Sequence, residues 1–202
     1  MPLENRVTPT GKLIASRARG LLMGNRGGRL HDPATRTLGT RRWVSRRWIA
    51  CRLAFRGRHR QVWGEGYTEL FFLDEVTALA AGHRPCFECR RDEAVAFARS
   101  MSASLALGDP PDADTMDARL HRERLSGPHP APMADLPDGA VIEIDGLTWA
   151  VRGGDLIAWT VDGYSSRRTR PTGGMASVIT PACIVAALNA GYAPMWHASA
   201  GR

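Results

Sequence analysis

Cys86 and Cys89 stand two residues apart in the stretch GHRPCFECRR, residues 82–91, and that spacing leaves the local backbone few forms. Two intervening residues let both sulfurs face one tetrahedral ion when the chain makes a tight turn. Pro85 shapes such a turn and blocks helix before it. Arg84, Arg90 and Arg91 beside the pair favour thiolate over thiol. The leading reading is a zinc (Zn2+) clip. A thioredoxin-like redox pair is the second, and it needs a strand–helix unit that the flanking residues do not suggest. Two thiols with no joint role are the third.

Size and charge narrow the rest. With 202 residues, 44% of them hydrophobic, the chain can bury a core without disulfides. The opening MPLENRVTPTGKLIASRARG has no apolar run of signal-peptide length, and nowhere is there a run of roughly 18–20 apolar residues that would span a membrane. The expected location is cytoplasmic, with no membrane partner, where four cysteines are not disulfide material. Residues 1–70 hold fourteen Arg and one Lys against four acids, a net +11. Residues 71–140 carry −5 and residues 141–202 carry +1, completing the formal +7. The basic excess therefore sits in the first third and points to a polyanionic partner, nucleic acid first and DNA before RNA.

The expected fold class is α+β, in three stretches. Residues 1–107 form a zinc-containing basic domain. Its first forty residues read as turns and loops. A strand is expected over Trp43–Phe55 and one or two more over 61–73, giving a small antiparallel sheet. Asp74 caps a short helix that Gly82 ends, and a second helix starts just after Cys89. Residues 108–138 read as an acidic, proline-rich linker with a short helix capped by Thr115 or Asp117. Residues 139–202 read as a β-meander or small barrel, from the recurring DG and GG turns, closed by a helix with Thr180 as N-cap and Pro181 in its first position. The segments ALAAGHRP (78–85) and ALNAGYAP (187–194) share one helix-exit pattern.

The run FFLDEVTALAAGHRPCFECRR, Phe71 to Arg91, resembles the second half of the Ada-type metal-binding domain. In that family a helix ends in A-G-aromatic-R-P-C and another cysteine follows two residues later. The resemblance implies a zinc site of four cysteines and a link to DNA repair. It covers about a tenth of the chain. The family's upstream cysteine pair is not matched, because Cys51 stands alone there. Its methyl-acceptor role is therefore not carried over.

Cys51 is the candidate third ligand and His31 the candidate fourth, with His121 next and His59 also possible. His83 is read as pointing away, and Cys183 as core. His121 and Glu123 form an H-x-E which, with Pro85-Cys86-x-x-Cys89, supplies the parts of a zinc nucleobase deaminase in an unfamiliar order. There His121 would bind metal and Glu123 would carry protons. Arg41, Arg42, Arg46, Arg47, Arg58 and Arg60, interleaved with Trp43 and Trp48, suit phosphate contact and base stacking, and Arg84, Arg90 and Arg91 join the same set. Three function classes follow: a zinc-dependent nucleic-acid-binding protein in DNA repair or modification, a zinc hydrolase or deaminase, and an interaction module with structural zinc.

Overall fold

The structure, a computed structural model, describes residues 1–58, 61–106 and 108–201. His59 and Arg60 lie outside the described residues. The fold is α+β. At its centre is α1 (Glu75–Ala80), all six of whose residues are buried. A helix buried on every side belongs in an interior: Val76, Ala78, Leu79 and Ala80 supply its apolar faces, and the buried Thr77 and Glu75 side chains are hydrogen-bonded to Asp74 and Tyr192. Asp74 caps it, accepting from the Thr77 backbone N–H at 2.9 Å. Gly82, at φ +77°, ends it.

One sheet packs on one side of α1. Its strands are β1 (Arg6–Val7), β2 (Leu13–Ile14), β3 (Leu22–Arg26), β6 (Trp48–Arg52), β7 (Leu70–Phe72) and β8 (Arg84–Pro85), in the order β2-β1-β7-β3-β6-β8. A separate hairpin holds β4 (His31–Asp32) and β5 (Thr37–Leu38). The sheet is mixed, not antiparallel throughout, because β1–β7 and β6–β8 pair in parallel. Val7, Leu22, Ala50, Leu70 and Phe72 pack on Ala78 and Ala81. Two of the strand expectations are corrected here. Residues 1–40 contain five short strands. Only Trp48–Arg52 of the 43–55 run is strand, since the Val44 and Ser45 amides both bond to the Arg26 carbonyl and close a turn. Residues 61–73 supply one strand, β7, within the one or two expected. Trp63, at φ +59°, tucks its indole inward, and Glu69 accepts from its backbone and ring N–H.

The second sheet comprises β9 (His129–Pro132), β10 (Val141–Ile144), β11 (Leu147–Arg152), β12 (Asp155–Thr160), β13 (Gly163–Thr169) and β14 (Met175–Val178). Its order, β13-β12-β11-β10-β14-β9, is a meander with β14 and β9 added at one edge. Asp145 and Gly146, both at positive φ, make the β10–β11 turn. Val141, Ala150 and Ile157 face Val76 and Ala80 of α1, so α1 lies between the two sheets.

A helical layer completes the core. It contains α2 (Arg91–Leu105), α3 (Ala113–Ser126) and α4 (Ala182–Asn189). Phe97, Met101, Met116, Leu120, Ile184 and Leu188 meet Leu79 in one cluster. Much of the expected linker is therefore packed. α3 is capped by Asp112, three residues before Thr115, and β9 is an edge strand. α4 starts one residue later than expected. Pro181 takes the cap position, while the Thr180 hydroxyl accepts from the Val141 amide at 2.8 Å. The two related helix exits do share their chemistry: the His83 amide reaches back to Ala78 O, and the Tyr192 amide to Ala187 O. Among the described residues no helix is long and apolar enough to cross a membrane.

Candidate metal centre

Side chains of a strand alternate between its faces, and here the alternation separates two environments. Leu22, Leu70, Phe72 and Ala50 face α1. Met23, Asn25, Ile49, Cys51 and Phe71 face the other way and line an open cleft of about 400 Å3. Cys51 thus enters this cleft by its place in the WIACR strand.

Cys86 and Cys89 arrive from the other side. β8 pairs in parallel with β6, and the Cys86 amide extends the pairing to the Ala50 carbonyl at 3.0 Å. The Arg90 amide bonds to Cys86 O at 2.9 Å, closing the turn just before α2. The Arg52 amide donates to Cys89 Sγ at 3.4 Å. Cys86 and Cys89 are buried and Cys51 half-buried, none is in a disulfide, and the three Sγ atoms lie within 4.8 Å of one another. Thiolates bound to one tetrahedral zinc stand roughly 3.8 Å apart, given Zn–S near 2.3 Å, so the cluster needs little adjustment to grip one ion. Hydrogen bonds from Cys51 and Cys89 pull the Cys86 thiol down to about 2, while those to Cys86 and Cys89 push Cys51 up.

Two arginines beside the clip turn inward. Arg84 forms a two-pronged pair with Asp117 on α3, at 2.9 and 2.8 Å, with both side chains at most 5% exposed. Arg90 pairs with buried Glu75 at 2.8 Å. These correct the expectation that Arg84 and Arg90 face a polyanion: both pin the cysteine turn to helices. Arg91 is exposed. So are Arg41, Arg42, Arg46 and Arg47, in the turn before β6, though Arg47 also meets Asp114 at 3.1 Å. Arg58 is exposed on the cleft rim, bonded to Glu88 at 2.6 Å. Arg60 falls outside the described residues.

Among the described residues no fourth ligand joins the three sulfurs. The expectation for His31 is corrected. Its Nε2–H donates to Gly64 O at 2.9 Å, Nδ1 bonds the Thr68 hydroxyl at 2.7 Å, and the ring stacks on Trp63. His59 lies outside the described residues. His121 and Glu123 do not converge on the cysteines either. His121 meets the edge of Trp43. Glu123 accepts from Arg119 Nε at 3.1 Å and from the Cys183 amide at 2.9 Å. The deaminase constellation is therefore not assembled. Cys183 is core, packed with Leu79 and Phe97. His83 is fully buried against Trp48 and Phe72.

The sequence reading missed the other side chains that shape the cleft: Arg19 and Arg52 on its rim, and Phe55 and Phe71 in its wall. Alternation along WIACR could have placed Ile49 with Cys51. Arg19 comes from a segment with no periodicity to read. No protein-family model matches the chain, no curated protein matches it, and no solved structure matches it.

Proposed function

We propose that this is a zinc-binding protein that engages nucleic acid. The observation that carries the metal is the convergence of Cys51, Cys86 and Cys89, from two separate segments, within 4.8 Å. The soft donor set and tetrahedral spacing favour zinc. The ion would be held by the three thiolates and would tie β6 to the start of α2. It would complete its shell with a group from the cleft. Nucleic acid is favoured by the exposed Arg41, Arg42, Arg46 and Arg47 around Trp43, itself 38% exposed. Guanidinium groups beside an open indole suit phosphate contact with base stacking. The Phe71–Arg91 resemblance to the Ada-type domain points the same way, toward DNA repair or modification.

A second reading rests on three protein ligands facing a cleft, the pattern of a zinc that binds an exchangeable group. In it the metal takes part in chemistry, with Arg19, Arg52 and Arg58 orienting an anionic substrate.

Metal analysis of reduced, purified protein tests the first part. One zinc per chain is expected, with loss on Cys86→Ser. Protein that carries no metal and unfolds at the same temperature with and without chelator refutes it. Fluorescence anisotropy with single- and double-stranded DNA and RNA over a salt series tests the second. Affinity should fall steeply as salt rises and weaken in an Arg41→Gln/Arg46→Gln/Arg47→Gln variant. No binding, or binding indifferent to salt, refutes it.

A further inference from the structure

The opposite face of the same sheet opens on a larger cleft, of about 980 Å3, where buried positive charge has no carboxylate partner. Its floor is Trp48 and Arg26, and Arg124 of α3 closes one side. Arg26 is 2% exposed. Its Nη2–H donates to Gly11 O at 2.8 Å, Nε–H to His83 Nε2 at 3.4 Å, and Nη1–H reaches Arg42 O at 3.5 Å. Arg124 donates from Nη1 to Gly82 O at 2.7 Å and from Nη2 to Arg46 O at 3.0 Å, while its buried Nε has no partner. Neither arginine belongs to any ion pair among the described residues. Both guanidinium carbons lie over the Trp48 ring, 3.9 and 4.3 Å from its centroid, and the buried Trp48 Nε1 is unpartnered too.

Holding the carbonyls of Gly11, Gly82 and Arg46 needs hydrogen-bond donors but no charge. A buried cation and a half-buried one sharing the same tryptophan ring are costly unless something negative joins them. Burial, followed by mutual repulsion with Arg124 and Arg42, lowers Arg26 to about 9. The nearby acids do not neutralise the pair: Glu4 is exposed, both Glu123 oxygens are already engaged, and Asp117, whose charge offsets part of the burial of Arg124, gives both oxygens to Arg84. Arg42 adds a third guanidinium at the mouth, and Leu13, Ile14, Leu38 and Ile179 supply apolar wall.

We propose that this cleft binds a phosphate-bearing small molecule of nucleotide size, with its phosphate held by Arg26, Arg124 and Arg42 beside Trp48. Three forked cations match a doubly charged phosphate better than a single carboxylate. The volume is at the upper end for small-molecule sites, and only a fraction of it is needed for the phosphate. The cleft lies across the sheet from the cysteines, so its ligand is separate from the metal.

Inorganic phosphate, pyrophosphate and each 5′-mononucleotide are titrated into the full chain at constant ionic strength. Unfolding temperature and tryptophan fluorescence are followed, with a short single-stranded oligonucleotide as a parallel arm. Stabilisation that rises with phosphate compound, but not with chloride, is expected. Arg124→Gln should weaken it roughly ten- to hundredfold, the worth of a charged hydrogen bond. Arg42→Ala, at an exposed position, should weaken it as well without threatening the fold. No response to any phosphate compound overturns the proposal. An unchanged response in both variants overturns it too, because the anion then sits elsewhere. Binding confined to the oligonucleotide also overturns it, since these arginines would then serve a polymer surface.

Discussion

Asp117→Ala tests whether the cysteine turn is pinned from within. Arg84 and Asp117 are 5% and 3% exposed and joined by two bonds of 2.9 and 2.8 Å. Removing the carboxylate leaves a buried guanidinium with the Pro85 carbonyl as its one remaining hydrogen-bond partner among the described residues and the Phe87 ring 5.4 Å away. Stranding one partner of a buried pair costs about 3–5 kcal/mol. That is a large share of the roughly 5–15 kcal/mol that holds a domain together. With an m-value of about 2 kcal/mol per molar, the urea midpoint should fall by roughly 1.5–2.5 M. The pair itself adds far less than its rupture costs. Burial already pushes the Asp117 carboxyl up despite the arginine beside it, so desolvation outweighs the attraction. The double variant Arg84→Met/Asp117→Leu should accordingly lie within about 1–2 kcal/mol of the parent. Circular dichroism and tryptophan fluorescence across a urea series, with zinc and reductant held constant, measure both. A loss below about 1 kcal/mol for Asp117→Ala, the range of a surface pair, would refute the reasoning. It would also return Arg84 to the pool of arginines free to meet a polyanion.

Two more outcomes follow from buried groups. His83 is held well below its usual range by burial and then by Arg26 and Arg124. The unfolded chain takes up its proton below about pH 6.5 and the folded chain does not, so stability present above that pH should fall by about 1.4 kcal/mol between pH 7.5 and 5.5. That share of the slope should vanish in His83→Asn, and an identical pH dependence in both proteins would count against it. Gly24→Ala should cost at least about 1–3 kcal/mol by overpacking, because an added Cβ would stand 2.1 Å from Ile49 O and 2.8 Å from the Phe72 ring; an unchanged thermal midpoint would show that β3 and β6 can part there.

Local signals in the sequence proved readable where their chemistry is local. Asp74 and Gly82 bracket α1 because a cap and a left-handed stop act within a turn or two. The Asp145-Gly146 turn and the strands around it follow from positive φ and alternation. Strands of two residues, such as β1 and β2, have no period to detect and exist only because β7 offers them an edge. The fates of Arg84 and Arg90 depended on Asp117, thirty-three residues away, and on Glu75, fifteen residues back at the start of α1. An arginine with a hidden carboxylate partner looks, in sequence, like any surface arginine. Cys51 could be nominated because it is one of only four cysteines. His31 could be nominated too, but nothing local foretold that Thr68 and Gly64 would occupy both of its nitrogens.

β6 gives the two proposed sites a common cause. Its residues alternate between a tryptophan laid under two cations and a cysteine aimed at two others. Inward, Trp48 and Ala50 join Arg26 and the α1 contacts; outward, Ile49 and Cys51 face the cleft of about 400 Å3. A shift of one residue in the β3–β6 register would exchange these faces, placing Cys51 against α1 and Trp48 in the cysteine cleft. Gly24 opposes that shift, because its missing side chain is what lets the strands close where the Phe72 ring crosses them. The turn at 41–47 opposes it as well, tied to the Arg26 carbonyl at one end and to Arg124 at the other. The exposed arginines of that turn are thus held by the same two arginines, Arg26 and Arg124, that line the larger cleft. An anion bound there would act directly on the anchor of the surface proposed to meet nucleic acid.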